Sequence, residues 1–249
     1  MIPILAHLVI PSYNEGNRLP DYLPRLSEAL ADVPFRCRIT IVDDGSREDH
    51  SRKMQDCVRQ CGPRVAYNRL PANLGKGGAV YSGWDSARDS EWLGFLDADG
   101  SIPPYEVVRL LGMLRTEGSP DALFASRCKI LGHTIQRSWL RHVGGRLFAT
   151  LVATATGIPV YDSQCGFKLI RRKSYEAIRS ELRERRFAFD VELLVVLRSI
   201  GAKVIEVPID WFDVPGSKLH FVRDSAQMLA AVIGMRMRNS KRRDHSPRD

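Results

Sequence analysis

Residues 91–101 read EWLGFLDADGS, an apolar run that passes directly into two carboxylates separated by one small residue. Trp92 to Leu96 has the bulky apolar make-up of a buried strand, and Gly100, Pro103 and Pro104 stop it abruptly. Asp97 and Asp99 are therefore expected at a strand's carboxyl end, the edge where open α/β sheets bind ligands. Two carboxylates there form an oxygen-rich site suited to Mg²⁺ or Mn²⁺ bridging a diphosphate. Taken alone, the same letters also make a solvated turn, because loops favour Asp for local hydrogen bonding. The surrounding chain has to decide between the two.

Upstream, Leu5 to Ile10 is a short apolar run ending at Pro11, and SYNEGNRL leads into Leu19, Leu23, Leu26 and Leu30 at helical spacing. Arg38 to Val42 is a β-branched strand that ends in DDGS, so Asp43 and Asp44 meet a glycine turn before a helix over Glu48 to Cys61. Val65 to Asn68 is a third strand, and NLGKGGA (73–79) opens a helix that continues to about Arg88. Strands alternating with helices in this way predict a doubly wound parallel sheet whose polar loops share one edge.

Downstream, a helix is expected over Glu106 to Glu117 and a strand over Ala122 to Ser126, ending at Arg127. The character then changes. Ser138 to Thr156 mixes Arg141, His142 and Arg146 with Leu147, Phe148, Leu151 and Val152, a pattern that suits a helix resting on lipid or an ordinary packed helix. DSQCGFKLIRR (162–172) reads as a loop into a short strand. Phe189 to Ile200 is an apolar helix carrying Asp190 and Glu192, and Lys203 to Val207 is the last strand. Asp224 or Ser225 can cap a final helix with Met228, Leu229, Val232 and Ile233 on its apolar side. The expected organisation is one domain over 1–238, with a first half (1–125), a second half (126–223) and a C-terminal helix (224–238), then a basic disordered tail (239–249).

With 249 residues, 44% hydrophobic and 27% charged, the chain has the make-up of a globular protein with a real core. Its net charge of +8 fits nucleic acid, an anionic membrane or a phosphorylated substrate as partner. Part of that excess is local to Arg236, Arg238, Lys241, Arg242 and Arg243. No nucleic-acid motif accompanies the charge, and the basic residues are not interleaved with stacking aromatics, so a non-catalytic nucleic-acid module is the weaker reading. The five cysteines lack paired metal-finger spacing and read as reduced thiols of a cytoplasmic protein. No basic leader precedes the first apolar run, and the longest uncharged stretch, Leu147 to Val160, is short of the ~20 apolar residues a membrane-spanning helix needs.

No single motif is decisive. NLGKGGA lacks the phosphate-loop spacing and GxGxxG is absent; Gly75, Gly77 and Gly78 instead permit close packing or let backbone approach a ligand, with Lys76 as a point charge. Asp43 and Asp44 can accept hydrogen bonds from a base or ribose, or can simply cap a turn. In conjunction and in order, IPSYNE, VDDGS, NLGKGGA, LDADGS, ASR and DSQCGFKL resemble the family-2 glycosyltransferases of the GT-A fold. FAFDVELL, EVPIDW and PGSKL bring the resemblance nearest to the dolichyl- or polyprenyl-phosphate sugar synthases, their glucosyltransferase branch in particular. It covers about residues 4–238.

The resemblance implies a Rossmann-like nucleotide-sugar half with a mostly parallel sheet and a smaller acceptor half. It implies transfer of a hexose, with inversion, from a nucleotide diphosphate, UDP-glucose being favoured. Pro11, Tyr13, Glu15, Asp43, Asp44 and Lys76 would surround the donor, and Asp97 and Asp99 the ribose and the Mg²⁺ or Mn²⁺. Arg127, Gln164, Lys168 and Lys218 match acceptor-phosphate positions, and Asp162, Asp99, Arg127 and Lys168 the reaction centre. With a polyprenyl phosphate acceptor, Asp162 would orient it or hold a cation; with a soluble hydroxyl acceptor, Asp162 would be the general base. Two departures stand out. Relatives often carry a membrane-spanning anchor ahead of the catalytic domain, whereas this chain starts almost at its first strand, which leaves peripheral contact with an anionic membrane as the expected attachment. Ser101 stands where some relatives use a glutamine beside the metal.

Overall fold

The computed structural model describes residues 4–31, 33–114, 118, 120–136, 150, 153–154, 156–214, 228, 230–231 and 234. Its centre is a seven-stranded sheet in the order β3-β2-β1-β4-β7-β5-β8. The strands are β1 (Ile4–Ser12), β2 (Arg36–Asp43), β3 (Val65–Arg69), β4 (Ser90–Leu96), β5 (Ala122–Ser126), β7 (Phe167–Arg171) and β8 (Val204–Pro208). A two-stranded parallel ribbon pairs β6 (Ile135–Gln136) with β9 (Trp211–Phe212). The helices are α1 (Leu19–Ala29), α2 (Glu48–Gln60), α3 (Lys76–Ser86), α4 (Pro104–Met113), α5 (Arg172–Ile178) and α6 (Phe189–Ser199).

Alternation along the strands divides the core into two layers. On β4, Trp92 and Leu96 face the layer filled by α1, α2 and α4, while Leu93 and Phe95 face the layer of α3, α5 and α6. Buried on both sides, the central strands read as continuous apolar runs, which is why the sequence shows them so clearly. Gly83 lets α3 lie close on the sheet, since a Cβ there would run into Val9.

β1, β2, β3 and β4 are mutually parallel, as the sequence predicts. The expected strand of the FKLIR segment forms, but β7 runs antiparallel and inserts between β4 and β5. β7 therefore brings its N-terminal end to the edge where the other strands bring their C-terminal ends. Asp43, Asp97, Arg127 and Gly166 thus meet along one line. Among the described residues, α5, the short 3₁₀ turn Arg179–Glu181 and the two-residue strands β6 and β9 are not anticipated, β9 lying beyond the strand read as the last. α4 begins at Pro104, inside the pair of prolines read as a stop, because proline suits the first turn of a helix. The amphipathic stretch apart from a few positions, Lys218, most of the C-terminal helix and the tail lie outside the described residues.

Candidate active site

The β1 end and the β2 end are tied to each other first. Asn14 has φ of 55°, the left-handed conformation in which an Asn is tolerated. Its amide donates to Ser46 Oγ at 2.8 Å, and its Oδ1 accepts from the Arg47 amide at 2.9 Å. Pro11, paired with Val42 in the sheet, and the exposed Tyr13 lead into this turn. Glu15 is buried and takes a two-pronged bond from Arg18, at 2.7 and 2.6 Å.

The two aspartates of VDDGS have separate jobs. Asp43 is fully buried and accepts from the Ser46 amide at 2.9 Å and from the Tyr67 hydroxyl, which fixes the turn. Asp44 accepts from the amides of Leu74 and Gly75, at 2.6 and 2.9 Å, and so holds the NLGKGG turn. Burial pushes the Asp44 carboxyl up, and the two amides pull it back only in part.

That turn then meets the second half of the chain. The Gly78 amide donates to the Arg185 carbonyl at 2.9 Å. A Cβ at Gly75 would fall 2.6 Å from the same carbonyl, and one at Gly77 would fall 2.6 Å from Phe189 Cβ. These glycines are required by close approach of backbone to backbone. Glu192, buried, accepts from the amides of Arg183 and Glu184, each at 2.7 Å, and pins the opposing loop to α6.

Asp97 leaves the end of β4 with its amide bonded to the Gly166 carbonyl at 2.8 Å. Its carboxylate lies over Gly166, where any Cβ would collide with it. Lys76 Nζ reaches Asp97 Oδ1 at 2.7 Å. Asp99 takes the Ser101 amide at 3.0 Å, and burial, reinforced by the negative charge of Asp97, raises its pKa. Two crowded carboxylates, one of them desolvated, carry a repulsion that a hard divalent cation would relieve. The residues present therefore fit Mg²⁺ or Mn²⁺.

Arg127 and Asp162 form the other pole. The guanidinium grips the carboxylate at 2.6 and 2.8 Å, and lies 5.6 Å from the centre of the Trp211 ring. Glu206 orients this carboxylate from behind by accepting the amides of Tyr161 and Asp162, at 2.8 and 2.9 Å. Burial alone would raise the Asp162 pKa, but Arg127 and Lys168 overcome it and bring it down to about 2. Gln164 gives its amide to Asp162 Oδ1 at 3.2 Å and its Nε2 to Met228 Sδ at 2.7 Å.

Lys168 differs from the expectation of an acceptor-phosphate ligand. It is 1% exposed, with Nζ on Asp190 at 2.7 Å and on the Cys165 carbonyl at 2.8 Å. Its place on a central strand, facing the α3–α6 layer, puts the ammonium beneath the site. Lys218 lies outside the described residues.

Asn14, Gly166, Glu206 and Arg18 carry the geometry without having been singled out in the sequence. Asn14 alone had a local signal, an Asn at a loop entry. A further cluster, Glu106, His133 and Asp210, groups ligand atoms within 4.8 Å of one another. Its carboxylates already serve Arg109, Tyr105 and the amides of Asp210 and Thr134, so it braces α4 against the segment following β8.

A parallel α/β half that presents paired carboxylates at its strand ends, joined to a mixed half bearing a guarded arginine, defines a glycosyltransferase of the GT-A fold. The chain belongs to glycosyl transferase family 2, whose model matches residues 7–179. Among curated proteins it is 30% identical over 245 residues to a dolichyl-phosphate beta-glucosyltransferase of Dictyostelium discoideum, covering 94% of this chain and 75% of that one. It is 33% identical over 242 residues to the Mus musculus protein of the same name, covering 93% and 74%. Glucosyl-3-phosphoglycerate synthase from Mycobacterium tuberculosis, solved with Mn²⁺, uridine diphosphate and glucosyl-3-phosphoglycerate, superposes with a TM-score of 0.68 at 16% identity, over 94% of this chain and 80% of that one. S. aureus TarS 1–349 with UDP-GlcNAc gives 0.58 at 15% identity, over 92% and 66%. No helix among the described residues is long and apolar enough to cross a membrane.

Proposed function

We propose that this enzyme transfers glucose from UDP-glucose to a polyprenyl or dolichyl phosphate, with inversion, using Mg²⁺ or Mn²⁺ at Asp97 and Asp99. The observation that carries the acceptor is the state of Asp162. A hydroxyl acceptor needs a general base with a pKa near the working pH. Asp162, the carboxylate facing Arg127, is committed to that guanidinium and held to about 2, which makes it a poor base, and the Glu206 carboxylate behind it is taken up by two backbone amides. A phosphate monoester, with a second pKa of about 6, is already largely dianionic at pH 7 and attacks unaided. The relatives named as dolichyl-phosphate glucosyltransferases, aligned over both halves, support the same acceptor and sugar.

In this reading Asp44 and the Asn14 turn shape the nucleoside pocket, and the glycines of the NLGKGG turn let that turn pack tightly on the Arg185 carbonyl and Phe189 behind it. A phosphate oxygen of the acceptor forms a bond to the anomeric carbon as the bond from that carbon to the diphosphate breaks on the opposite face. No proton is transferred. When bound, the divalent cation supplies Lewis-acid stabilisation of charge on the departing diphosphate. Lys76 adds a cation from the donor side, and Arg127, oriented by Asp162, meets the acceptor anion. Contact with an anionic membrane face follows from where such an acceptor resides.

The test is incubation with labelled UDP-glucose, Mg²⁺ or Mn²⁺, and detergent-dispersed polyprenyl phosphate. Label in the lipid fraction is expected. Label on soluble acceptors alone would overturn the acceptor assignment.

A further inference from the structure

Beneath the donor site lies a file of alternating charge: Asp97, Lys76, Asp190 and Lys168. Lys76 Nζ is 2.7 Å from Asp97 Oδ1, and Lys168 Nζ is 2.7 Å from Asp190 Oδ1. Asp190 acts electrostatically on both lysines. Both members of the lower pair are almost wholly buried, at 2% and 1% exposure. Aromatic rings wall the file. Lys76 stands 5.1 Å from the centre of Phe95 and 5.8 Å from that of Phe189; Lys168 stands 5.3 Å from Phe95 and 5.0 Å from Phe124.

A buried ion pair is seldom the most stable way to fill a core, since apolar residues of similar volume do as well or better. Its persistence directly under a binding site asks for a reason in the site. Lys76 is the first residue of α3 and Asp190 lies in the first turn of α6, and the two helices touch where Gly77 meets Phe189. We propose that Asp190 is a positioning residue of the donor site, holding Lys76 in place from below once the Asp97 carboxylate turns to a divalent cation. Lys76 then has a fixed second partner and stays within reach of the diphosphate. Lys168 balances Asp190, so the file remains neutral as a whole. The low dielectric of the aromatic walls keeps these attractions strong and directional.

The proposal rests on the nucleotide-sugar reading, and a double-mutant cycle tests it apart from that reading. The measurement is calorimetric affinity for UDP with Mn²⁺ in wild type, Asp190→Asn, Lys76→Met and the combination. Asp190→Asn is expected to weaken binding about tenfold alone and less than about twofold once Lys76 is gone, because directly interacting pairs are not additive. Asp190→Asn strands the Lys168 ammonium in the core, so the same cycle is run in Lys168→Met, where that charge is absent. Wild-type affinity in Asp190→Asn, or an equal loss with and without Lys76, overturns the proposal and leaves the donor reading standing. Absence of Mn²⁺-dependent UDP binding in the wild type overturns both.

Discussion

Arg127 and Asp162 face each other as two prongs on two: Nε to Oδ2 at 2.6 Å and Nη2 to Oδ1 at 2.8 Å, with the Arg127 amide adding a third bond at 3.1 Å. Removing the carboxylate charge leaves a guanidinium in a largely buried place. Asp162→Asn is expected to lose about 3 kcal/mol of stability, seen as a fall in Tm of roughly 10 °C for a chain of this size. A melt unchanged from wild type would mean that the pair contributes nothing.

The pH dependence of transfer separates base catalysis from phosphate attack. If the acceptor supplies its own anion, kcat/KM has an acid limb near the second phosphate pKa of about 6. The residual activity of Asp162→Asn keeps that limb. An acid limb that vanishes in this variant would make Asp162 the base.

Acid weakens the fold in two separate windows. His7 is buried, bonded to Thr40 Oγ1 at 2.7 Å, and burial lowers its pKa to about 4. Between about 6.5 and 4 the unfolded chain binds a proton at His7 that the folded chain refuses, so stability falls as pH falls, by about 3 kcal/mol for this residue. Asp162, held at about 2, adds its loss only below the unfolded carboxylate range, as pH drops from about 4 towards 2. Denaturant titrations at pH 7, 5 and 3 should show both, and His7→Gln should flatten the first alone.

Asp99 is held against its own preference. Burial and the charge of Asp97 raise its pKa, so Asp99→Asn relieves repulsion. Its Tm should equal or exceed that of wild type, while metal-dependent transfer falls by at least about a hundredfold. Loss of activity with an equal loss of stability would point to a structural role instead.

Gly166 tests the seat of Asp97. A Cβ there collides with the carboxylate, so Gly166→Ala must push it off line. Mn²⁺-dependent UDP binding, read by thermal shift, should weaken more than about tenfold, since displacement of a first ligand is felt directly. Unchanged binding would remove Asp97 from the metal site.

Much of this was legible in the chain because it is local. Strands β1, β2, β4 and β5 are apolar runs closed by polar loops, and parallel strands divided by helices put Asp43, Asp97 and Arg127 on one edge. The family resemblance was carried by those same loops and by later motifs such as DSQCGFKL. What sequence could not give is non-local. The antiparallel insertion of β7 depends on pairings made across the sheet, and nothing in FKLIR states which neighbours it will have. Lys168 reads equally as an acceptor-phosphate ligand or as half of a salt bridge, because burial is a property of the strand's facing and its counter-charge, Asp190, stands on a different element. The Glu192 and Glu206 bonds to backbone amides are equally invisible, since the acceptor's sequence distance is arbitrary.

The insertion of β7 also sets an order of events in synthesis. β4 pairs with β7, and β5 reaches the rest of the sheet only through it. As the chain emerges N-terminus first, β4 therefore keeps one bare edge until Arg171 has left the ribosome. A nascent chain cut after Ser126 would expose that edge together with a stranded β5, an invitation to pair with other chains. Strands β1 to β4 are made before β7 and yet cannot be finished before it.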